Sequence, residues 1–177
     1  LEKELANLLK RGGVIGGSSA GAAIQSRVMI AGGSDVAKLQ TGFDLLPGTI
    51  IDQHFLARKR QPRLTGAIAK HPQRVGLGID EGTALVVQGR QIQVLGRSSV
   101  TVCLAASASQ PASQTQVRAG QPLDLTALRR AARTRALRQR RGACGGGWGA
   151  HPLSRPRTAR ASRCRRRGGT PSQTLGA

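Results

Sequence analysis

Apolar residues along the chain switch between two periods. Leu1, Leu5, Leu8 and Leu9 recur at helical spacing, and Gly12-Gly13 ends that helix. GGVIGG is short and apolar between glycines, which predicts a buried strand over residues 13–17. SAGAAIQSRVMI follows with strong helix formers, so residues 1–30 read as helix, strand, turn, helix. AGGSDVAKLQTG reads as a loop, FDLLPG as a turn and TIIDQHF as a second strand over 48–53. LARKRQPRLTGAIAKH predicts a basic helix that is broken at Pro62 or begins there. VGLGIDEGTALVVQGRQIQVLG predicts two or three strands, the first over 75–80, with a turn at Gln88-Gly89. SSVTVCLAA adds a strand, and QVRAGQPLDL a last short extended segment. The strands at 13–17, 48–53 and 75–80 are apolar almost throughout, as strands covered on both faces are.

After Leu125 the pattern fails. ALRRAARTRALRQRRGACGGGWGAHPLSRPRTARASRCRRRGG carries almost no apolar period beyond its first turns, and disorder is expected over 126–177. Charge divides at the same place. Residues 1–124 hold fourteen Lys and Arg and all eight acids, a net +6; residues 125–177 hold fourteen Arg and no acid. The overall +20 is therefore mostly the tail's, and it does not make the whole chain a nucleic-acid binder. The tail reads first as the product of a shifted frame in GC-rich coding sequence, and second as an Arg-rich nucleic-acid arm. The arm is the weaker reading because Lys is absent and Trp148 is the only aromatic there.

Three cysteines (Cys103, Cys144, Cys164) show neither CxxC nor metal spacing. Cys103 reads as a small core residue, and neither a metal nor a cofactor is expected. The N-terminus is a charged amphipathic helix without signal-peptide form, and no apolar run is long enough to span a bilayer. No membrane partner is expected, and a cytoplasmic location is the default.

Gly17-Ser18-Ser19-Ala20-Gly21 matches G-x-S-x-G, between an apolar strand and a helix. In a nucleophile elbow the serine takes strained backbone angles at the top of a strand, and small neighbours let helix and strand pack closely. The competing reading is a Gly/Ser turn that only packs. His54 follows an apolar strand, the end at which open α/β sheets place their sites. His71 and His151 lack that setting and read as surface residues. Asp80-Glu81 closes another apolar run: it is an acidic turn, or it supplies a carboxylate to orient the histidine.

Together GGSSAGAA, IDQHFLARKRQPRL and GIDEGTALVV resemble the cyanophycinases, in the serine-peptidase family that also holds dipeptidase E; the resemblance covers about residues 1 to 125. It implies a flavodoxin-like parallel sheet of the class I glutamine amidotransferase kind. It implies a nucleophile at Ser19, a general base at His54, a carboxylate at Glu81 and an oxyanion donor at the Ala20 N–H, with Ser18 where the family usually has Thr. Asp52, Gln53, Arg58, Arg60 and Arg63 fall on positions resembling the family's substrate pocket, where arginine forks would hold carboxylates and Asp52 a guanidinium. The implied reaction is hydrolysis of cyanophycin, a poly-aspartate bearing arginine on its side chains, to β-Asp-Arg dipeptides. Alternatives are an Asp-specific dipeptidase, or a non-catalytic fragment with an Arg-rich nucleic-acid-binding tail. Relatives imply a homodimer. The family has strands and helices before the elbow, including a glycine-rich segment with a second oxyanion donor, and none precede it here. The expectation is thus a sheet with its N-terminal part missing and its last strands replaced by the tail.

Overall fold

A computed structural model describes residues 1–144. Helix α1 (Glu2–Lys10) has Glu2 and Glu4 in its first turn and Lys10 in its last, matching the helix dipole. Gly12, at φ +82°, ends it, and Gly13 N–H closes on Leu8 O at 2.9 Å. The chain then runs without regular structure to a short α2 (Ala20–Ala23). This overturns the strand expected at 13–17: no described strand pairs with it, and Val14 is 89% exposed.

The helix expected to continue to Ile30 also stops early. Buried Ser26 turns its hydroxyl onto Ala23 O at 2.8 Å and Val28 O at 3.1 Å, competing with the helical ladder. β1 (Val28–Gly32) then pairs antiparallel with β2 (Lys38–Thr41), inside the segment that reads as a loop.

The main sheet runs β3 (Thr49–Gln53), β4 (Val75–Ile79), β7 (Ser99–Leu104), β8 (Ser113–Arg118) in spatial order. β3 and β4 are parallel and joined through α3 (Gln61–Lys70), the crossover that parallel strands need. Pro62 sits in the first turn of α3, where its missing N–H costs nothing. The hairpin of β5 (Thr83–Gln88) and β6 (Gln91–Gly96) replaces a crossover after β4. β7 therefore returns antiparallel to β4, and β8 is antiparallel to β7. The class is α/β, but the sheet is mixed rather than wholly parallel: among the described residues β3–β4 is its one parallel pair. β6 also pairs with the short β9 (Leu123–Asp124).

Both faces of the sheet are covered. On one, Ile50, Phe55 and Cys103 meet Leu64, Ala67 and Ile68 of α3. The Cys103 thiol is pushed up to about 12 by burial and then by nearby Asp52, as suits the core residue expected there. On the other face Ile51, Leu77, Val100 and Val102 meet Val94 of β6 and Ala132 of α4 (Leu125–Cys144).

Helix α4 corrects the expectation that order ends at residue 125. Leu125, Leu128, Ala132 and Ala136 return every three or four residues, and the first, third and fourth are buried. Asp124 Oδ1 accepts the N–H groups of Thr126 at 2.8 Å and Ala127 at 3.0 Å, which caps the helix start. Arg135 donates to Ala105 O and Pro111 O at 2.9 and 2.7 Å. The apolar stripe is narrow because seven arginines, from Arg129 to Arg141, occupy much of the rest of the helix. The rest of the expected tail, residues 145–177, with Trp148, His151 and the proposed arm, lies outside the described residues.

Candidate active site

Three segments far apart in sequence meet at the carboxyl ends of the parallel strands. Ser19 precedes α2 with φ 52° and ψ −115°, a strained conformation for a residue with a Cβ. The turn is tight enough that a Cβ on Gly17 would lie 2.1 Å from Gly21 O, so glycine is required there. His54 follows β3, also in the left-handed region at φ 51°. Glu81 follows β4 by two residues. Gln53 and Ile79 are register partners, so the parallel pairing itself puts the two following turns side by side.

The side chains form a continuous relay. His54 Nδ1 lies 2.8 Å from Glu81 Oε1, and His54 Nε2 lies 3.2 Å from Ser19 Oγ. A carboxylate only accepts, so Nδ1 carries the proton and Nε2 turns its lone pair to the serine hydroxyl. Ser19 and Glu81 are exposed and His54 half-buried, so the serine is open to a ligand. Ala20 opens α2, where the first N–H groups have no intrahelical acceptor.

Beneath the relay, Asp80 links the two turns. Its Oδ1 accepts Leu56 N–H and Ala57 N–H at 3.0 Å each, and its Oδ2 accepts the Ser98 hydroxyl at 2.7 Å. Burial pushes its carboxyl up, but these bonds, with the Glu81 amide, outweigh that and hold it below the ordinary range. In the sequence Asp80 is only the other half of an acidic turn. Nothing local separates it from Glu81; the direction each side chain takes does.

A cavity of about 660 Å³ opens from the relay and is lined by Ser19, Gln53, His54 and Glu81 at one end and by Leu46, Leu125 and Arg129 elsewhere. The residues expected to form an arginine-rich pocket divide between the cavity wall, the interior and the exposed turn before α3. Asp52 is fully buried, and Arg63 is 2% exposed. Arg63 Nε donates to Asp52 Oδ2 at 2.7 Å, Nη2 donates to Oδ1, and Nη1 donates to Gly33 O at 2.6 Å. Asp52 and Arg63 satisfy each other inside the protein. The cause is the alternation of β3: Asp52 points to the α3 side, where Arg63 sits in the helix's first turn.

Arg60 donates to Gln53 O at 2.7 Å and to Gln53 Oε1 at 2.6 Å, so it orders Gln53 rather than lining the cavity. Its guanidinium pKa is lowered by burial and by Arg63. Arg58 is exposed in the turn before α3 and likewise does not line the cavity. Of the five expected pocket residues, Gln53 alone does. Arg129, on α4, lies in a segment whose composition points to disorder, and sequence reasoning misses it. Its Nε is buried without a hydrogen-bond partner among the described residues, and burial lowers its pKa. The Leu125–Leu128–Ala132 spacing is the one signal that could bring this helix, and Arg129 with it, into view.

The model of Peptidase family S51 matches residues 1–95, more than half of the chain and all of the relay. The chain belongs to peptidase family S51. Among curated relatives, the cyanophycinase of Geminocystis herdmanii is 43% identical over 96 residues, covering 50% of this chain and 35% of that protein. The cyanophycinase of Trichormus variabilis is 45% identical over 102 residues, covering 52% and 34%. That of Synechococcus elongatus is 45% identical over 97 residues, covering 50% and 30%. The chain thus spans about a third of the length of the curated relatives it matches. Among the described residues no helix is long and apolar enough to cross a membrane, and no group of three or more His, Cys, Asp or Glu could hold a metal ion.

Proposed function

We propose that this chain carries the catalytic relay of a serine exopeptidase that hydrolyses cyanophycin to β-Asp-Arg dipeptides. The observation that carries the reading is the unbroken chain of hydrogen bonds from Ser19 through His54 to Glu81. Ser19 Oγ attacks the scissile carbonyl as His54 Nε2 takes its proton. Glu81 holds the imidazole in the required tautomer and stabilises the imidazolium that forms. The Ala20 N–H donates to the oxyanion of the tetrahedral intermediate. The imidazolium then gives its proton to the leaving amine, and water repeats the sequence to release the acyl product.

The substrate class rests on the curated relatives named cyanophycinase and not on Arg58, Arg60 and Arg63, which stand outside the cavity lining. Substituting Ser19→Ala tests the chemistry. Release of β-Asp-Arg from cyanophycin by the full chain should fall to background, with the thermal midpoint unchanged. Release that survives the substitution would remove Ser19 from the role. Faster turnover of free Asp-Xaa dipeptides than of the polymer would replace the substrate with that of an aspartyl dipeptidase.

A further inference from the structure

We propose that Asp80 is a positioning residue for the proposed relay, holding the His54 turn against the Glu81 turn so that the imidazole meets its carboxylate. The inference rests on the assignment of His54 and Glu81 above. His54 sits at φ 51° and begins a turn that ends only at α3, with Lys59 also at φ 48°. Two non-glycine residues in left-handed conformations within six positions do not persist unless their surroundings hold them. The turn's own bonds (Arg58 N–H to His54 O, Lys59 N–H to Leu56 O, Arg60 N–H to Phe55 O) shape it, and a short set of bonds anchors it to the β4 end. Phe55 N–H reaches Ile79 O at 3.2 Å, and the next two amides both end on Asp80 Oδ1.

Asp80 is itself fixed from the other side. Its N–H donates to Ser99 O at 3.3 Å and its Oδ2 accepts from Ser98. The carboxylate therefore ties the His54 turn to the start of β7, with Glu81 as its direct chain neighbour. Although Asp80 touches the cavity wall, its oxygens already accept the Leu56 and Ala57 amides and the Ser98 hydroxyl. That leaves it poorly placed to take a substrate guanidinium, and it separates positioning from binding as a measurable difference.

The test uses Asp80→Ala, Asp80→Asn and Ser98→Ala in the full chain. Asparagine keeps an acceptor for Leu56 and Ala57 and can donate to Ser98 Oγ. With the tether cut, a displacement of the imidazole by about 1 Å is enough to lower kcat on the order of 10²-fold. Asp80→Ala should show that loss in kcat with KM within about twofold, and Asp80→Asn should recover most of it. Amide hydrogen exchange at Leu56 and Ala57, which needs no turnover, should accelerate at least about tenfold in Asp80→Ala and stay slow in Asp80→Asn. If Asp80→Ala does not fold, Ser98→Ala carries the test through a kcat loss of a few fold at constant KM. A KM increase with kcat unchanged, or slow exchange in Asp80→Ala, would overturn the proposal. A wild-type chain that hydrolyses nothing, yet shows the predicted exchange pattern, would overturn the functional reading and leave the tether standing.

Discussion

Arg63→Met is the sharpest test of how the residues around the cavity divide between stability and binding. Arg63 and Asp52 are 2% and 0% exposed. The substitution removes two hydrogen bonds to the Asp52 carboxylate and one to Gly33 O. Asp52 is left buried with the Gln53 N–H at 2.8 Å and the Arg60 guanidinium at 3.8 Å. Breaking a buried ion pair by removing one partner costs about 3–5 kcal/mol, because the other charge stays desolvated. Arg60 can move in, which places the expected loss near the lower end, about 3 kcal/mol. Whole domains hold only about 5–15 kcal/mol, so the loss is severe. With a urea dependence of about 2 kcal/mol per M, the midpoint should fall by roughly 1.5 M. Far-UV circular dichroism during urea titration measures it. Asp52→Asn in the same chain removes the stranded charge and should restore about 1–2 kcal/mol, a coupling typical of contacting residues. KM should not change for the surviving folded fraction, since neither side chain lines the cavity. A midpoint shift below about 0.3 M together with a tenfold higher KM would refute the reasoning and return Arg63 to the substrate.

Two further outcomes follow from the packing around the relay. A Cβ on Gly78 would lie 2.5 Å from Phe55 Cγ, and Phe55 is fully buried beside His54. Gly78→Ala should therefore cost about 1–3 kcal/mol in overpacking and lower kcat by displacing the His54 turn; a wild-type melting curve with wild-type kcat would contradict it. Acid titration reads Asp80. Its folded pKa is depressed by hydrogen bonds that outweigh burial, so its contribution is full above the ordinary carboxylate value of about 4 and is lost as pH falls through the lower folded value. The stability gap between wild type and Asp80→Asn should narrow as pH falls below the ordinary carboxylate value of about 4 in denaturant titrations, and a widening gap would reverse the sign argument.

Much of this protein is legible along the chain because it depends on neighbours in sequence. The strand at β3, the helix beginning near Pro62, the β4–β5–β6 run and β7 each follow from a period, a turn residue or a proline within a few positions. The G-x-S-x-G turn also shows its shape in its own composition, small residues around one serine that must sit in a strained conformation.

What the sequence alone could not decide is pairing, which is a property of two segments at once. An apolar run at 13–17 reads as a strand but has no described ladder partner, whereas the polar KLQT of β2 becomes one by meeting β1. An acid and an arginine that resemble a substrate pocket instead neutralise each other in the core, because strand alternation and one turn of α3 aim them inward. Asp80 and Glu81 are equivalent as letters, and only the neighbouring turns separate a tether from a relay carboxylate. The arginine-rich segment folds as α4 because Leu128 and Ala132 find the open face of the sheet and Leu125 and Ala136 are buried beside them in the stripe, a surface that composition cannot represent. Local propensity selects among backbone shapes that differ by fractions of a kcal/mol. Burial and charge pairing across the fold are worth several, and at these positions they prevailed over propensity.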